Sequence, residues 1–155
     1  MEKEEKYELL CQQITSLVSG EHQTVGVMAN VSAALKEIFP ERFFWVGFYC
    51  VNDGELQLGP FQGSVACMHI QKGKGVCGTA WEQKQTIIVP DVEQFPGHIA
   101  CSSLSRSEIV VPLLNPVGEV YGEIDIDSKE LDAFDAVDKR YLEKIAKIIS
   151  NQLAF

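Results

Sequence analysis

The sequence predicts an α+β domain in which helices cover a mostly antiparallel sheet. Apolar residues recur at helical spacing near both ends of the chain, and the middle reads as strands folded back on each other across turn-forming residues. The connections between those strands are too short for parallel winding through a crossover helix. With 155 residues, 46% of them hydrophobic, the chain has room for one sizeable core. No internal repeat, low-complexity tract or Ser/Gly-rich linker interrupts it, so residues 1–155 are read as one folding unit.

The first helix is expected from about residue 4 to the Ser19-Gly20 stop, with Leu10, Ile14, Leu17 and Val18 striped beside Tyr7 and Cys11. Val25, Met28, Val31, Ser32, Leu35 and Ile38 form a second helical stripe. It ends where Pro40 bars the preceding residue from the α region. The aromatic and β-branched run 43–51 is a strand. Asn52, Asp53 and Gly54 tolerate positive φ and turn it into a partner at 55–58.

A short strand at 66–71 follows, then a short helix at 76–85 after the glycines of KGKG, and a strand at 86–89 that Pro90 ends. A second hairpin pairs 108–114 with 119–127 across Asn115, Pro116, Val117 and Gly118. Val137, Tyr141, Leu142, Ile145, Ile148, Ile149 and Leu153 stripe a long terminal helix. Asp135 is its N-cap, and Asp138 stands near its positive end.

Charge narrows the range of functions. The 22 Asp and Glu outnumber the 13 Lys and Arg, and no clustered basic field is visible for phosphate, so a nucleic-acid partner is not expected. The N-terminus MEKEEKYE is charged where a signal peptide needs an apolar stretch, and the run 43–51 is far too short to span a bilayer. A soluble, cytoplasmic protein without a membrane partner is therefore expected. In such a compartment the five cysteines are reduced thiols, and a disulfide would be transient chemistry rather than scaffolding.

Cys101 lies in a polar stretch behind Pro96 and Gly97, which places it on a loop. A thiol titrates near pH ~8.5, so reactivity needs help from its surroundings, for which His98 and Arg106 are the neighbouring candidates. Cys67 and Cys77 sit around Gly73, Gly75 and Gly78, a segment that could bring either thiol to Cys101 with little steric resistance. A zinc set would recruit Cys67, His69, Cys77, His98 and Cys101, but no paired C-x-x-C spacing occurs and no metal is expected. Cys11 falls in a helical stripe and Cys50 in an apolar strand, so both are assigned to the core.

Glu123, Asp125 and Asp127 alternate along a strand and share one face, with Ile124 and Ile126 on the other. The acidic row either faces bulk water or lines a pocket for a cationic or hydrogen-bond-donating ligand, and Glu108 in the partner strand could join it. Such a pocket beside thiols suits a small zwitterion with an ammonium group. Trp45 and Tyr49, also on one strand face, either pack in the core or wall an apolar, methyl-bearing group.

The motifs WVGFY (45–49), GPFQG (59–63), VAC (65–67), GKGVCGTA (73–80), FPGHIAC (95–101), SEIVVPL (107–113) and DIDS (125–128) resemble, in order and spacing, those of the free methionine-(R)-sulfoxide reductases. The resemblance covers essentially the whole chain. It implies a single GAF domain with a six-stranded antiparallel sheet between helices. It further implies reduction of free L-methionine-(R)-sulfoxide, not of the protein-bound form, with thioredoxin as reductant and no cofactor.

Motif by motif, the resemblance makes Cys101 the nucleophile, Cys67 the resolving thiol and Cys77 the third cysteine. Glu108, Asp125 and Asp127 become substrate-contacting carboxylates, with acid catalysis falling to Glu108 and Asp127. Trp45 and Tyr49 become the pocket around the methyl sulfoxide. The sequence departs from the family pattern at Ser102, Leu104, Arg106 and Glu123, the last standing where an apolar residue is usual. A GAF ligand sensor that binds without turnover is the alternative, since fold alone does not fix function. A third reading, an interaction module forming a homodimer through its terminal helices, leaves the thiols idle.

Overall fold

A computed structural model describes residues 1–99 and 101–153. The elements run α1 (Lys3–Val18), α2 (Thr24–Ile38), β1 (Trp45–Asn52), β2 (Glu55–Gln62), β3 (His69–Ile70), α3 (Gly75–Gln83), β4 (Ile87–Val89), β5 (Ser107–Leu114), β6 (Val120–Ser128) and α4 (Ala136–Gln152). The strands form one six-stranded sheet in the order β3-β2-β1-β6-β5-β4, with every neighbouring pair antiparallel. This is the α+β arrangement of an antiparallel sheet covered by helices that the sequence predicts, with the six strands that the resemblance implies. No helix among the described residues is long and apolar enough to cross a membrane.

The period-2 alternation of the central strands assigns their faces. Val46 and Phe48 of β1, Ile109, Val111 and Leu113 of β5, and Ile124 and Ile126 of β6 pack against α1, α2 and α4 in the larger core. Trp45 and Tyr49 of β1 and Val110 of β5 point the other way, to a second cluster with Val76, Cys77, Ala80 and Trp81 of α3. Helices thus cover both faces. The broad apolar stripe of α4 serves the first core, and α3 with its flanking loops roofs the second.

Several boundaries move from their predicted positions for physical reasons. The strand expected over 66–71 shrinks to His69–Ile70, which pairs with Gln57 and Leu56. Upstream of it the chain leaves the sheet edge, and the Tyr49 hydroxyl donates to the Cys67 carbonyl at 2.8 Å. The helix expected over 76–85 closes at Gln83 because Lys84 turns left-handed, at φ 55°. Gly78 lets α3 seat against the preceding turn, since a Cβ there would lie 2.4 Å from the Gln71 carbonyl oxygen.

Asp138 ties the helical layer together. Its side chain is fully buried, accepts from the Asp135 backbone N–H at 2.9 Å in a capping box, and receives the Tyr7 hydroxyl. Arg42 at 2.9 Å and Lys3 at 2.6 Å complete its ion pairs, so α1, the segment after α2, and α4 meet on one carboxylate. Removing one partner of a buried ion pair leaves the others desolvated and uncompensated. Asp138→Asn is therefore expected to cost about 3 kcal/mol, lowering Tm by roughly 10 °C in a domain of this size. Thermal unfolding followed by circular dichroism measures it, and an unchanged Tm would mean the cluster contributes nothing.

Candidate active site

The site forms on the face of the sheet opposite the larger core. Register sets its floor: Trp45 pairs with Asp127, Gly47 with Asp125 and Tyr49 with Glu123 across β1 and β6. Glu108 pairs with Asp127 and Val110 with Asp125 across β5 and β6. The acidic row of β6 therefore lies between the aromatic row of β1 and Glu108 of β5. α3 lowers Cys77 onto it from above, and the segments bearing Cys67 and Cys101 close it.

Cys67 and Cys101 are joined in a disulfide, with Cα atoms 5.6 Å apart. Of the two thiols that the sequence offers as partners for Cys101, the structure joins Cys67. Cys77 remains a free, buried thiol, and the other free thiols, Cys11 and Cys50, lie in and against the larger core as assigned. Trp45, Tyr49, Cys77, Cys101, Glu108 and Asp127, together with Asp125 and His98, line a cavity of about 50 Å³. Arg106 is exposed and does not line that cavity, so of the two candidates for assisting Cys101 only His98 stands in the site. Burial lowers the tendency of His98 to take up a proton, against an opposing pull from Asp125.

The aromatic wall is held from behind. The Trp45 indole N–H donates to the Ser64 carbonyl at 2.9 Å, and its ring stacks on Phe61 with centroids 5.0 Å apart. Gly63 permits this closeness, because a Cβ there would come within 2.5 Å of the indole. Tyr49 stacks more loosely on Trp45, at 6.2 Å, and is fixed by its bond to Cys67. Core packing and cavity lining, alternatives at the level of sequence, are here the same arrangement.

Most of the acidic cluster is withdrawn from water, with Asp127 partly exposed. Glu108 is 6% exposed, Asp125 5% and Glu123 0%. Burial is the main reason the Glu108 carboxyl is held well above its usual range, with Asp125 and Asp127 adding repulsion and a hydrogen bond to Asp125 favouring its protonated form. Asp127 is likewise pushed well up by burial and then by Asp125. Asp125 is also raised by burial, but hydrogen bonds from Glu108 and Cys77 and the nearness of His98 oppose the shift. Burial and then the surrounding carboxylates hold Cys77 far above an ordinary thiol. Burial thus favours the protonated forms of Glu108, Asp127, Glu123 and the Cys77 thiol, while Asp125 is the carboxyl whose charged form its neighbours favour.

Glu123 is the residue whose surroundings sequence reasoning missed. It lies close to Cys77, neither of its carboxylate oxygens has a well-formed hydrogen bond, and burial and then Asp125 push its carboxyl well up against an opposing effect of Cys77. Its departure from the family's apolar pattern was the signal. The zinc set considered from sequence does not assemble, since Cys67 and Cys101 bond to each other and His69 is paired with Glu55 at the sheet edge. A different set does, because donor atoms of Cys77, Glu108 and Asp125 lie within 4.8 Å of one another.

The GAF domain family profile matches residues 17–154. GAF domain-containing protein A of Dictyostelium discoideum is 57% identical over 96% of this chain and 93% of its own. The free methionine-R-sulfoxide reductase of Saccharomyces cerevisiae is 45% identical over 100% of this chain and 89% of its own. Among solved structures, the free methionine-R-sulfoxide reductase of Neisseria meningitidis in complex with its substrate superposes with a TM-score of 0.94. It is 48% identical, covering 98% of this chain and 90% of that one. Fold, register and these full-length matches agree that the chain belongs to the GAF domain family, within the group that includes the free methionine-R-sulfoxide reductases.

Proposed function

We propose that this protein is an oxidoreductase that reduces free L-methionine-(R)-sulfoxide to methionine, acting as one GAF domain over residues 1–155. The observation that carries the reading is the Cys67–Cys101 disulfide at a cavity floored by buried carboxyls. A ligand sensor requires neither thiol. The cavity in this disulfide form, about 50 Å³, holds one or two water molecules rather than an amino acid. Substrate therefore enters when reduction of the disulfide frees the Cys101 loop.

In the reduced protein the Cys101 thiolate attacks the sulfoxide sulfur. The oxygen is a poor leaving group until protonated, and Glu108 and Asp127, whose protonated forms burial favours, supply a proton to it. The protonated oxygen passes from the substrate sulfur to the Cys101 sulfur as the bond between the two sulfurs breaks, so methionine leaves reduced by two electrons and Cys101, oxidised by the same two, is left as a sulfenic acid. Cys67 attacks that sulfur, releasing water and forming the disulfide, which an external dithiol protein such as thioredoxin reduces by thiol exchange. Asp125, the carboxyl whose charged form its neighbours favour, holds the substrate ammonium, while Trp45 and Tyr49 wall its methyl group. Backbone N–H groups of the surrounding loops take its carboxylate.

Trp45 and the acids stand on different sides of the reacting sulfur, so turnover is expected for the R diastereomer and not for the S. Chromatographic separation of the two free sulfoxides after incubation with thioredoxin or dithiothreitol measures this. Equal loss of both would sink the assignment, and binding without loss of either would identify a sensor.

A further inference from the structure

Cys77 takes no part in the disulfide, yet it sits deeper in the cluster than either thiol that does. We propose that Cys77, Glu108 and Asp125 form a site for one thiophilic divalent cation of the Zn²⁺ and Cd²⁺ class, occupying the place where substrate puts its ammonium. Only that last clause rests on the function proposed above.

Three donor atoms, one sulfur and two carboxylate oxygens, lie within 4.8 Å of one another, and all three residues are buried. In a tetrahedral zinc site, bonds of about 2.0–2.3 Å put neighbouring ligand atoms roughly 3.5 Å apart, so a contraction of about 1 Å closes the set. Three protein ligands with a fourth position left to water is the arrangement of open zinc sites. The cavity, about 50 Å³, has space for that water.

The charge around the site is unbalanced in the direction a cation corrects. Asp125 Oδ1 is buried and without a hydrogen-bond partner although it lines the cavity, and both oxygens of Glu123 close to Cys77 lack a well-formed hydrogen bond as well. An unpaired buried carboxyl oxygen is costly. A divalent ion would accept the Asp125 lone pair and draw negative charge from the whole cluster. Sulfur selects the ion: thiolate favours zinc and cadmium, whereas magnesium and calcium take oxygen ligands. Binding replaces the Cys77 S–H bond by a sulfur–metal bond and the Glu108 O–H bond by an oxygen–metal bond, releasing both protons to solvent without a redox change.

The test uses the full chain in its disulfide form, where Cys67 and Cys101 cannot ligate. Cd²⁺ titration is expected to produce the ultraviolet charge-transfer band of a thiolate–cadmium bond, saturating at one equivalent. Cys77→Ser is expected to abolish the band, and Asp125→Asn to keep it while weakening affinity at least about tenfold. No band in the parent protein, a band that survives Cys77→Ser, or unchanged affinity in a folded Asp125→Asn variant would each overturn the proposal. In a Cys67→Ser, Cys101→Ser double variant, methionine-(R)-sulfoxide should raise the apparent Kd for Cd²⁺. A metal band that forms but is indifferent to the sulfoxide would overturn the shared place, and would count against the substrate reading rather than the metal site.

Discussion

Cys101→Ser is expected to yield no methionine, not even the one equivalent that a single pass through the site could give. A serine hydroxyl stays un-ionised near neutral pH and cannot become a sulfenic acid, so the step that removes oxygen from sulfur has no acceptor. Cys67→Ser is expected to behave differently because the two thiols act in sequence. It should release about one methionine per protein molecule and then stall with thioredoxin, its Cys101 held as sulfenic acid that a sulfenate-trapping reagent can label. Single-turnover product analysis by mass spectrometry distinguishes the two variants. Stoichiometric methionine from Cys101→Ser would refute the nucleophile.

The second large effect is expected at the buried acids. Glu108→Gln and Asp127→Asn keep shape but remove the proton offered to the sulfoxide oxygen, and positioned acids contribute about a hundredfold or more. Asp125→Asn should chiefly raise KM, because an ammonium contact exists in ground and transition states alike. Steady-state kinetics on the three variants separate these roles, and near-normal kinetics in all three would remove the carboxyls from the mechanism.

The same shifts predict two pH effects of known sign. Glu108 and Asp127 are raised, so their protonated forms persist to higher pH than those of ordinary carboxyls, and turnover should fall as pH rises through their folded-state values. Stability should move the same way. The unfolded chain surrenders these protons near the usual carboxyl values while the folded protein keeps them, so unfolding becomes easier as pH rises above that range. Glu108→Gln, with no proton to lose, is expected to be more thermally stable than the parent near neutral pH while being far less active. A Tm that falls instead would mean that the Glu108 carboxyl supports the fold.

That mid-chain thiols come together was legible, because Cys67 and Cys77 flank glycines that could bring either of them to the Cys101 loop. Which thiol meets which was not. Cys77 stands on a helix that projects into the carboxyl cluster, while Cys67 stands where the chain leaves the sheet edge and can reach Cys101. Distance along the chain does not distinguish these two situations.

Local pattern alone determined the order of the elements and the faces of the central strands, though not every boundary. Alternation on β6 puts Glu123, Asp125 and Asp127 on one side and Ile124 and Ile126 on the other whatever packs against them, because side chains on a strand repeat every two residues. The cap at Asp135 and the turn at Asp53 and Gly54 follow from similarly short-range chemistry. Only the tertiary structure decided whether the acidic face met water or a roof. That answer depends on the order β3-β2-β1-β6-β5-β4, which places β6 at the centre of the sheet, and on α3 descending from a distant part of the chain to cover it. Burial raises the affinity of a carboxyl for its proton, and it is a property of all the elements that exclude water together, so no window of sequence around Asp125 contains it.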